Sequence, residues 1–325
     1  MIRMLMSVMA VAASALCSTG ASASDAPYPE RPVSIVVAYG PGGMGDRLAR
    51  LTSEHLRRLI KGSFIVENRP GANGTIGGKH VLASKRDGHT LLVGQPGEIV
   101  VNRLLMKDAG YDAVKEFEPV VLMGNAPLVV VARADAPFNT LREFVEQVRK
   151  APEKVSYASL GVGTPGHMAA VAIELGFGLK MIHVPYKGIN QLIPDLIGGH
   201  VNLFIVTTST ALPLVKGGKL KVLAVTAPER IAMLPNVETV AESGLPGFSY
   251  TVWGGLFAPK GTPRPLIERL NRDINQVFSQ AELRAQLEAD GIAVPSNTPA
   301  QFSDFVAREA AKYESLVQRA QIKPE

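Results

Sequence analysis

Two stretches of this chain combine residue types and spacing suited to holding a small anion. The first is Tyr39-Gly40-Pro41-Gly42-Gly43-Met44-Gly45-Asp46. The run before it, Val33-Ser34-Ile35-Val36-Val37-Ala38, is short, apolar and β-branched, as a buried strand is. After it, Leu48, Leu51, His55, Leu56 and Leu59 recur at helical spacing. The glycines therefore form a strand-to-helix turn, where bared N–H groups and the helix dipole favour negative charge. The second stretch is Ser159-Leu160-Gly161-Val162-Gly163-Thr164-Pro165-Gly166, after a strand at 155–158. Thr164 suits an N-cap there and Pro165 the first helical position.

Around these turns the candidate ligand contacts are Tyr39, Gly43, Met44, Asp46, Gly74, Ser159, Gly163, Thr164, His167, Tyr186, Asn202 and Thr207. Several have two readings. Asp46 orders ligand donors or simply serves as the carboxylate of a helix's first turn. Thr164 binds a carboxylate or only caps. Tyr39 walls the ligand or belongs to the core, and His167 contacts the ligand or is a satisfied structural histidine. Tyr186 is a better cleft candidate than the hydrated, flexible Lys187 beside it. Asn202 and Thr207 sit at the end of a strand, where α/β sheets place ligand contacts. Trp253 fits a junction between lobes better than a ligand contact.

Gly40-x-Gly42-x-x-Gly45, with Glu67 about 20 residues on, also matches a dinucleotide fingerprint. A Rossmann-type NAD-dependent oxidoreductase is thus the rival reading. Asp46 opposes it, because a carboxylate in that first turn repels a pyrophosphate. Other catalytic patterns are absent. There is no H-E-x-x-H or C-x-x-C, so no metal or other cofactor is expected. Ser159 lacks the glycine two residues earlier that a nucleophile elbow needs. Gly77-Gly78-Lys79-His80 fails the phosphate-loop pattern, having Asn73 and His80 at key positions.

Residues 1–23 read as a secretory signal: Arg3, an apolar run from Met4 to Leu16, and Ala21-Ser22-Ala23 as the cleavage site. Cys17, the only cysteine, would leave with it, so no disulfide is expected. Leu16 before it argues against lipidation. No later apolar run reaches the roughly 18 residues of a membrane span. A periplasmic protein is expected, and the scarcity of free NAD there weakens the nucleotide reading. The net charge of +5 is scattered, which argues against nucleic acid as a partner, and 46% hydrophobic with 19% charged residues describes a globular chain.

The elements that position these turns alternate as α/β units do. Strands are expected at 64–66, 90–94, 119–123, 128–132, 181–184, 201–206 and 220–225, with an extended stretch at 250–257. Helices are expected at 75–84, near 208–215 and over 265–278. Capping boxes mark three helix starts: Thr140 with Glu143, Ser279 with Glu282, and Thr298 with Gln301.

A set of ordered stretches resembles one family, the solute-binding receptors of tripartite tricarboxylate transporters, also called Bug receptors. They include Tyr39-x-Pro41-Gly42-Gly43-x-x-Asp46-x-x-Ala49-Arg50, Glu67-Asn68-Arg69-Pro70-Gly71-Ala72-Asn73-Gly74, and Tyr157-Ala158-Ser159-x-Gly161-x-Gly163-Thr164-x-x-His167. His183-Val184-Pro185-Tyr186-Lys187-Gly188, Gly198-Gly199-His200-Val201 and Ala258-Pro259-x-Gly261-Thr262-Pro263 follow in order. The resemblance implies an α/β, two-lobed, type II-like periplasmic binding protein. Each lobe would be a mixed sheet flanked by helices, with the ligand cleft between. Residues 24–127 plus 252–325 would form lobe I and 128–251 lobe II. It further implies a monomer that is not an enzyme, closing on a small carboxylate and delivering it to membrane permease subunits, or else a receptor used for signalling. Asn202 stands where the family often has Asp, a change expected to ease binding of an extra carboxylate or to remove a partner for a ligand amine.

Overall fold

A computed structural model describes residues 28–152 and 154–324, so the expected signal peptide and Cys17 lie outside the described residues. Two sheets share one long strand. Strands β1 (Val33–Val37), β2 (Phe64–Asn68) and β3 (Thr90–Gly94) are parallel, in the order β2-β1-β3. Antiparallel β9 (Thr251–Pro259) follows β3, and then the first half of β4 (Phe117–Arg133). The second half of β4 leaves this sheet and pairs antiparallel with β7 (Leu203–Thr207) and β8 (Leu220–Val225). Beyond β7 come parallel β5 (Ser156–Ser159) and β6 (Ile182–Pro185). The triplet β6-β5-β7 thus repeats β2-β1-β3, and the fold is two-lobed.

The expected pair of strands at 119–123 and 128–132 is instead the single strand β4, and this is a correction. Gly124-Asn125-Ala126-Pro127 has the composition of a turn, yet these residues pair with Gly254, Trp253, Val252 and Thr251 of β9. Two register shifts, at Pro119/Val121 and Leu122/Gly124, absorb the irregularity as bulges. The strand changes partners at Pro127/Leu128, so both lobes meet on continuous backbone.

Helices cover the sheets: α1 (Met44–Ile60), α2 (Thr75–Leu82), the short α3 (Asn102–Leu105) and α4 (Ala113–Glu116), α5 (Leu141–Lys150), α6 (Pro165–Phe177), α7 (Ile189–Gly198), α8 (Thr208–Lys216), α9 (Arg264–Phe278), α10 (Ala281–Ala289) and α11 (Pro299–Ala320). Thr298 and Gln301 form the full capping box of α11, and Thr140 accepts from Glu143 N–H to cap α5. The box expected at Ser279 does not form. The cap of α10 is Gln280, with no side-chain bond, because Ser279 still closes the last turn of α9. Trp253 is fully buried in β9, its indole N–H donating to Glu309 of α11 at 3.0 Å, between the rings of Phe302 and Phe305.

Candidate functional site

The parallel strands of both lobes end toward one cleft, and each ends in a turn that starts a helix. After β1 the chain reaches the Gly42-Gly43 turn and α1. Gly42 sits at φ +90, a conformation that favours glycine. Gly43 does not need that freedom, since its φ is −77, but a Cβ there would project into open space. What its missing side chain provides is access to the first amides of α1, which carry no side-chain cap.

Across the cleft, β7 ends at Thr207, the N-cap of α8, again with no side-chain bond to the helix amides. Thr207 Oγ1 lies 2.9 Å from Thr210 Oγ1. A cavity of about 280 Å³ separates the two helix starts. Gly42, Gly43, Met44 and Arg47 line one side and Thr207 to Thr210 the other, with Ala126 and Pro127 of β4 and the 290–292 loop completing it. A smaller cavity of about 170 Å³ adjoins it, shares Thr207 and is lined by Thr164, Pro165 and Gly166 at the start of α6, itself uncapped by a side chain. Missing caps are not special to the cleft, since α7, α9 and α10 lack them too. The convergence of three uncapped starts on adjoining cavities is what distinguishes it. Larger hollows, about 350 Å³ beside α11 and 490 Å³ beside Arg149, meet the C-terminal halves of helices, whose dipole ends repel anions.

Of the expected contacts, Gly43, Met44 and Thr207 line the main cavity and Thr164 the adjoining one. Thr164 is the N-cap by position, but its hydroxyl donates to Gly161 C=O at 2.7 Å rather than capping. Gly163 abuts the opposite lobe, its Cβ position 3.6 Å from Asn73 Nδ2 and 3.2 Å from Val101. Its N–H donates to His167 Nδ1 at 3.3 Å.

The structure engages the other candidates internally. The carboxylate of Asp46 accepts from Gly42 N–H (3.0 Å), Arg50 Nε (2.9 Å) and Asn68 Nδ2 (2.9 Å), stapling the turn from behind. Although the residue is buried, which works against ionisation, these bonds hold its pKa below the usual value. Ser159 is buried with its Oγ 2.6 Å from His183 Nε2. His167 is buried in a stack with Tyr157 and His183, and burial first, then His183, pushes its pKa down to about 4. Tyr186 donates to Asp195 at 2.7 Å, within its own lobe. Gly74 is glycine for packing: at φ +89, a Cβ would meet Glu98 Cβ at 2.9 Å.

Asn202 is a correction of position. It precedes β7, whereas Thr207 ends it, so the two lie at opposite ends of the strand, roughly 17 Å apart. Asn202 Oδ1 accepts from Ser156 N–H at 2.8 Å, bracing β5 against β7 away from the cleft. Asn202 is therefore not among the residues lining the cavity between α1 and α8.

Tyr39 leads to residues that sequence reasoning missed. Its hydroxyl donates to Glu98 Oε2 at 2.7 Å, and Gln95 N–H donates to Glu98 Oε1 at 2.8 Å. Glu98 is fully buried in the π-turn Gly97–Val101, and desolvation pushes its pKa up to about 7. Beside it Asn73, held at φ +47, donates to Asn102 Oδ1 at 2.7 Å, and Asn102 donates back to Asn73 C=O and to Thr75 Oγ1. The Gly- and Asn-rich composition of Gly71-Ala72-Asn73-Gly74 was the available sequence signal; in the structure Ala72 and Asn73 both take positive φ there. Glu67, the acid of the apparent dinucleotide fingerprint, accepts from Ser34 Oγ at 2.7 Å and pairs with Arg69. It is thus engaged within the protein. Among the described residues, no cluster of three potential ligands is placed to hold a metal, and no helix is long and apolar enough to cross a membrane.

Comparisons with known proteins agree with this geometry. The family model described as tripartite tricarboxylate transporter family receptor matches residues 48–322. The chain is 35% identical over 301 residues to the UPF0065 protein in the tcbD-tcbE intergenic region of Pseudomonas sp. (strain P51), covering 92% of this chain and 89% of that one. It is 31% identical to Protein BugT of Bordetella pertussis, covering 89% of each. Among solved structures, R. palustris Rpa4515 with adipate superposes with a TM-score of 0.83 at 30% identity, covering 92% of this chain and all of that one. MatC from Rhodopseudomonas palustris with bound malate does so at 0.78 and 31%, covering 89% and 100%. The chain belongs to the tripartite tricarboxylate transporter receptor family, whose members are solute-binding receptors.

Proposed function

We propose that this protein is a periplasmic receptor that captures a small organic carboxylate and delivers it to the permease subunits of a tripartite tricarboxylate-type transporter. The observation that carries this reading is the pair of uncapped helix starts, α1 and α8, facing each other across the 280 Å³ cavity. Amides there donate to an anion without a counter-charge having to be desolvated. The volume is near the lower end of small-molecule pockets, which suits a metabolite smaller than a drug. The adipate and malate held by two relatives of known structure support the same ligand class.

In this reading Gly43, Met44, Thr207 and Thr164 meet the ligand, Tyr39 stands beside it, and the remaining candidates brace the turns. The lobes are residues 24–127 with 252–325, and residues 128–251. The change of partners along β4 at Pro127/Leu128, opposite Thr251, supports that division. The lobes close on the ligand by bending β4 and β9, and ligand binding favours the closed state by differential affinity. Micromolar binding requires about −8 kcal/mol, within reach of a few charge-assisted hydrogen bonds.

A thermal-shift panel tests the reading. Succinate, malate, citrate, nicotinate or a related acid is expected to raise the Tm, and NAD to leave it unchanged. Stabilisation by NAD with no response to any acid in a broad panel overturns it.

A further inference from the structure

Among the residues lining the cleft cavity, Arg47 and Asp290 are the charged ones, and they are ion-paired with each other. We propose that Arg47 is a specificity-determining residue. Its guanidinium takes the second carboxylate of a short dicarboxylate whose first carboxylate sits at the helix amides, and Asp290 is the partner it gives up. This inference rests on the carboxylate reading above.

The placement of Arg47 goes against local electrostatics. It is the fourth residue of α1, where the dipole that draws anions disfavours a cation. Asp46, one position earlier, has the favoured sign but does not neutralise it, being committed to Gly42, Arg50 and Asn68. Arg47 reaches instead to Asp290, in the loop that follows α10. A residue that breaks a local rule inside a ligand cavity is one for which function is the natural explanation.

The pair is poised to exchange. Its side chains retain 40% and 33% exposure, so it lies in the range where ion pairs contribute little net stability. The pairing is also incomplete: neither Arg47 Nε, which is shielded from the cavity, nor Asp290 Oδ2 makes a hydrogen bond among the described residues, so a ligand would meet the terminal nitrogens of the guanidinium. A ligand carboxylate offers the planar fork a bidentate partner, which lysine at this position could not match. Gly43 and Arg47 are four residues apart, roughly 6 Å along the helix axis, so one short molecule can span from the first amides to the guanidinium. A monocarboxylate held at the amides leaves Arg47 on Asp290 and gains nothing from it.

Calorimetric titration of the wild type, Arg47→Gln and Asp290→Asn with matched acids decides the matter: succinate against butyrate, and adipate against hexanoate. Arg47→Gln is expected to weaken diacid binding tenfold or more and monoacid binding less than twofold. Asp290→Asn, which frees the guanidinium, is expected to tighten diacid binding a few-fold, and this variant decides if Arg47→Gln folds poorly. If the wild type binds diacids but Arg47→Gln weakens both acids equally, or neither, the role of Arg47 is overturned while the receptor reading stands. If the wild type binds no acid of any kind, both fall.

Discussion

Behind the Gly42 turn, in the lobe of β1 to β3, the interior is a hydrogen-bonded network of Tyr39, Glu98, Asn73 and Asn102. Behind the Ser159–Gly163 turn, in the lobe of β5 to β7, it is an aromatic stack of Tyr157, His183 and His167, with ring centroids 5.0 and 4.3 Å apart. The strand arrangement is repeated, but the chemistry behind the turns is not. Both clusters nevertheless reach the same electrostatic outcome. Burial raises the pKa of Glu98 and lowers that of His167, and each shift favours the neutral form. Each of these two clusters thus leans toward its neutral form, while the ionised Asp46 behind the Gly42 turn is balanced by Arg50. In the proposed reading, bared amides recognise the anion, with Arg47 as the cation on the cavity surface.

The largest effect should come from closing off the amides of the first lobe. Gly43→Leu puts a side chain into the open space of the cavity at a backbone conformation any residue adopts. It is expected to weaken acid binding more than a hundredfold while changing stability by no more than about 0.5 kcal/mol. Titration calorimetry beside a denaturation curve separates the two. Undiminished affinity would move the site out of this cavity. Gly163 is a poorer place for the same experiment. Its φ of +78 and its approach to Val101 strain any side chain there, so lost binding and lost stability would be confounded.

The two buried clusters should also give opposed pH slopes. Glu98 has a folded pKa of about 7 against an ordinary 4.5, so its contribution is present below 4.5 and is lost as pH rises through 7. His167 has a folded pKa of about 4 against 6.5, so its contribution is present above 6.5 and is lost as pH falls through 4. Each is worth at most ~3 kcal/mol. The groups facing Glu98 are Tyr39, the Gln95 amide and Tyr111, whose hydroxyl lies 3.5 Å from the Glu98 carbonyl, and none of them is a cation. Glu98→Gln should therefore gain on the wild type steadily between pH 4.5 and 7, keeping the acid-side losses due to His167 and to carboxylates such as Asp46. Denaturation midpoints across that range check this, and parallel profiles for the two proteins would show that Glu98 does not titrate there.

How much of this was legible from residues alone follows the same division between near and far. The strand-to-helix turns, the two true caps at Thr140 and Thr298, and the cavity residues Gly43, Met44 and Thr207 are set by neighbours within a few positions. The rest depends on partners distant in the chain. Gly124-Asn125-Ala126-Pro127 looks like a turn until β9 arrives from over a hundred residues away to hold it as a bulged strand. Ser159 and His167 occupy the right loop and helix, but which way each side chain turns is decided by His183 across the packed lobe; Tyr186 turns instead to Asp195 in the helix that follows it. Gly94-Gln95-Pro96-Gly97-Glu98 stands out in the sequence only as a departure from the family pattern, lacking the Thr-His usual near Glu98, and nothing in it announces that Tyr39 will meet Glu98. Arg47 and Asp290 are likewise brought together only because α10 packs on α9, which packs on α1.

The smallest predicted effect sets one end of β7 against the other. Asn202 was singled out because a lost negative charge at a cleft would alter which acids fit. Its place at the amino end of the strand removes that logic, since ligands of α/β sheets gather at the carboxyl ends. Asp in its place still accepts from Ser156 N–H, and Ser156 Oγ lies 3.3 Å from the same oxygen, so the brace between β5 and β7 survives. At roughly 17 Å from Thr207, beyond the ~8 Å Debye length of physiological salt, the added charge is largely screened from the cavity. Asn202→Asp is therefore expected to change diacid affinity less than twofold and stability by about 0.5 kcal/mol or less. Calorimetry at low and at physiological salt measures both limits. A tenfold loss at physiological salt would mean that charge at the far end of the strand reaches the ligand, and that the two ends of β7 are not the separate regions the geometry makes them.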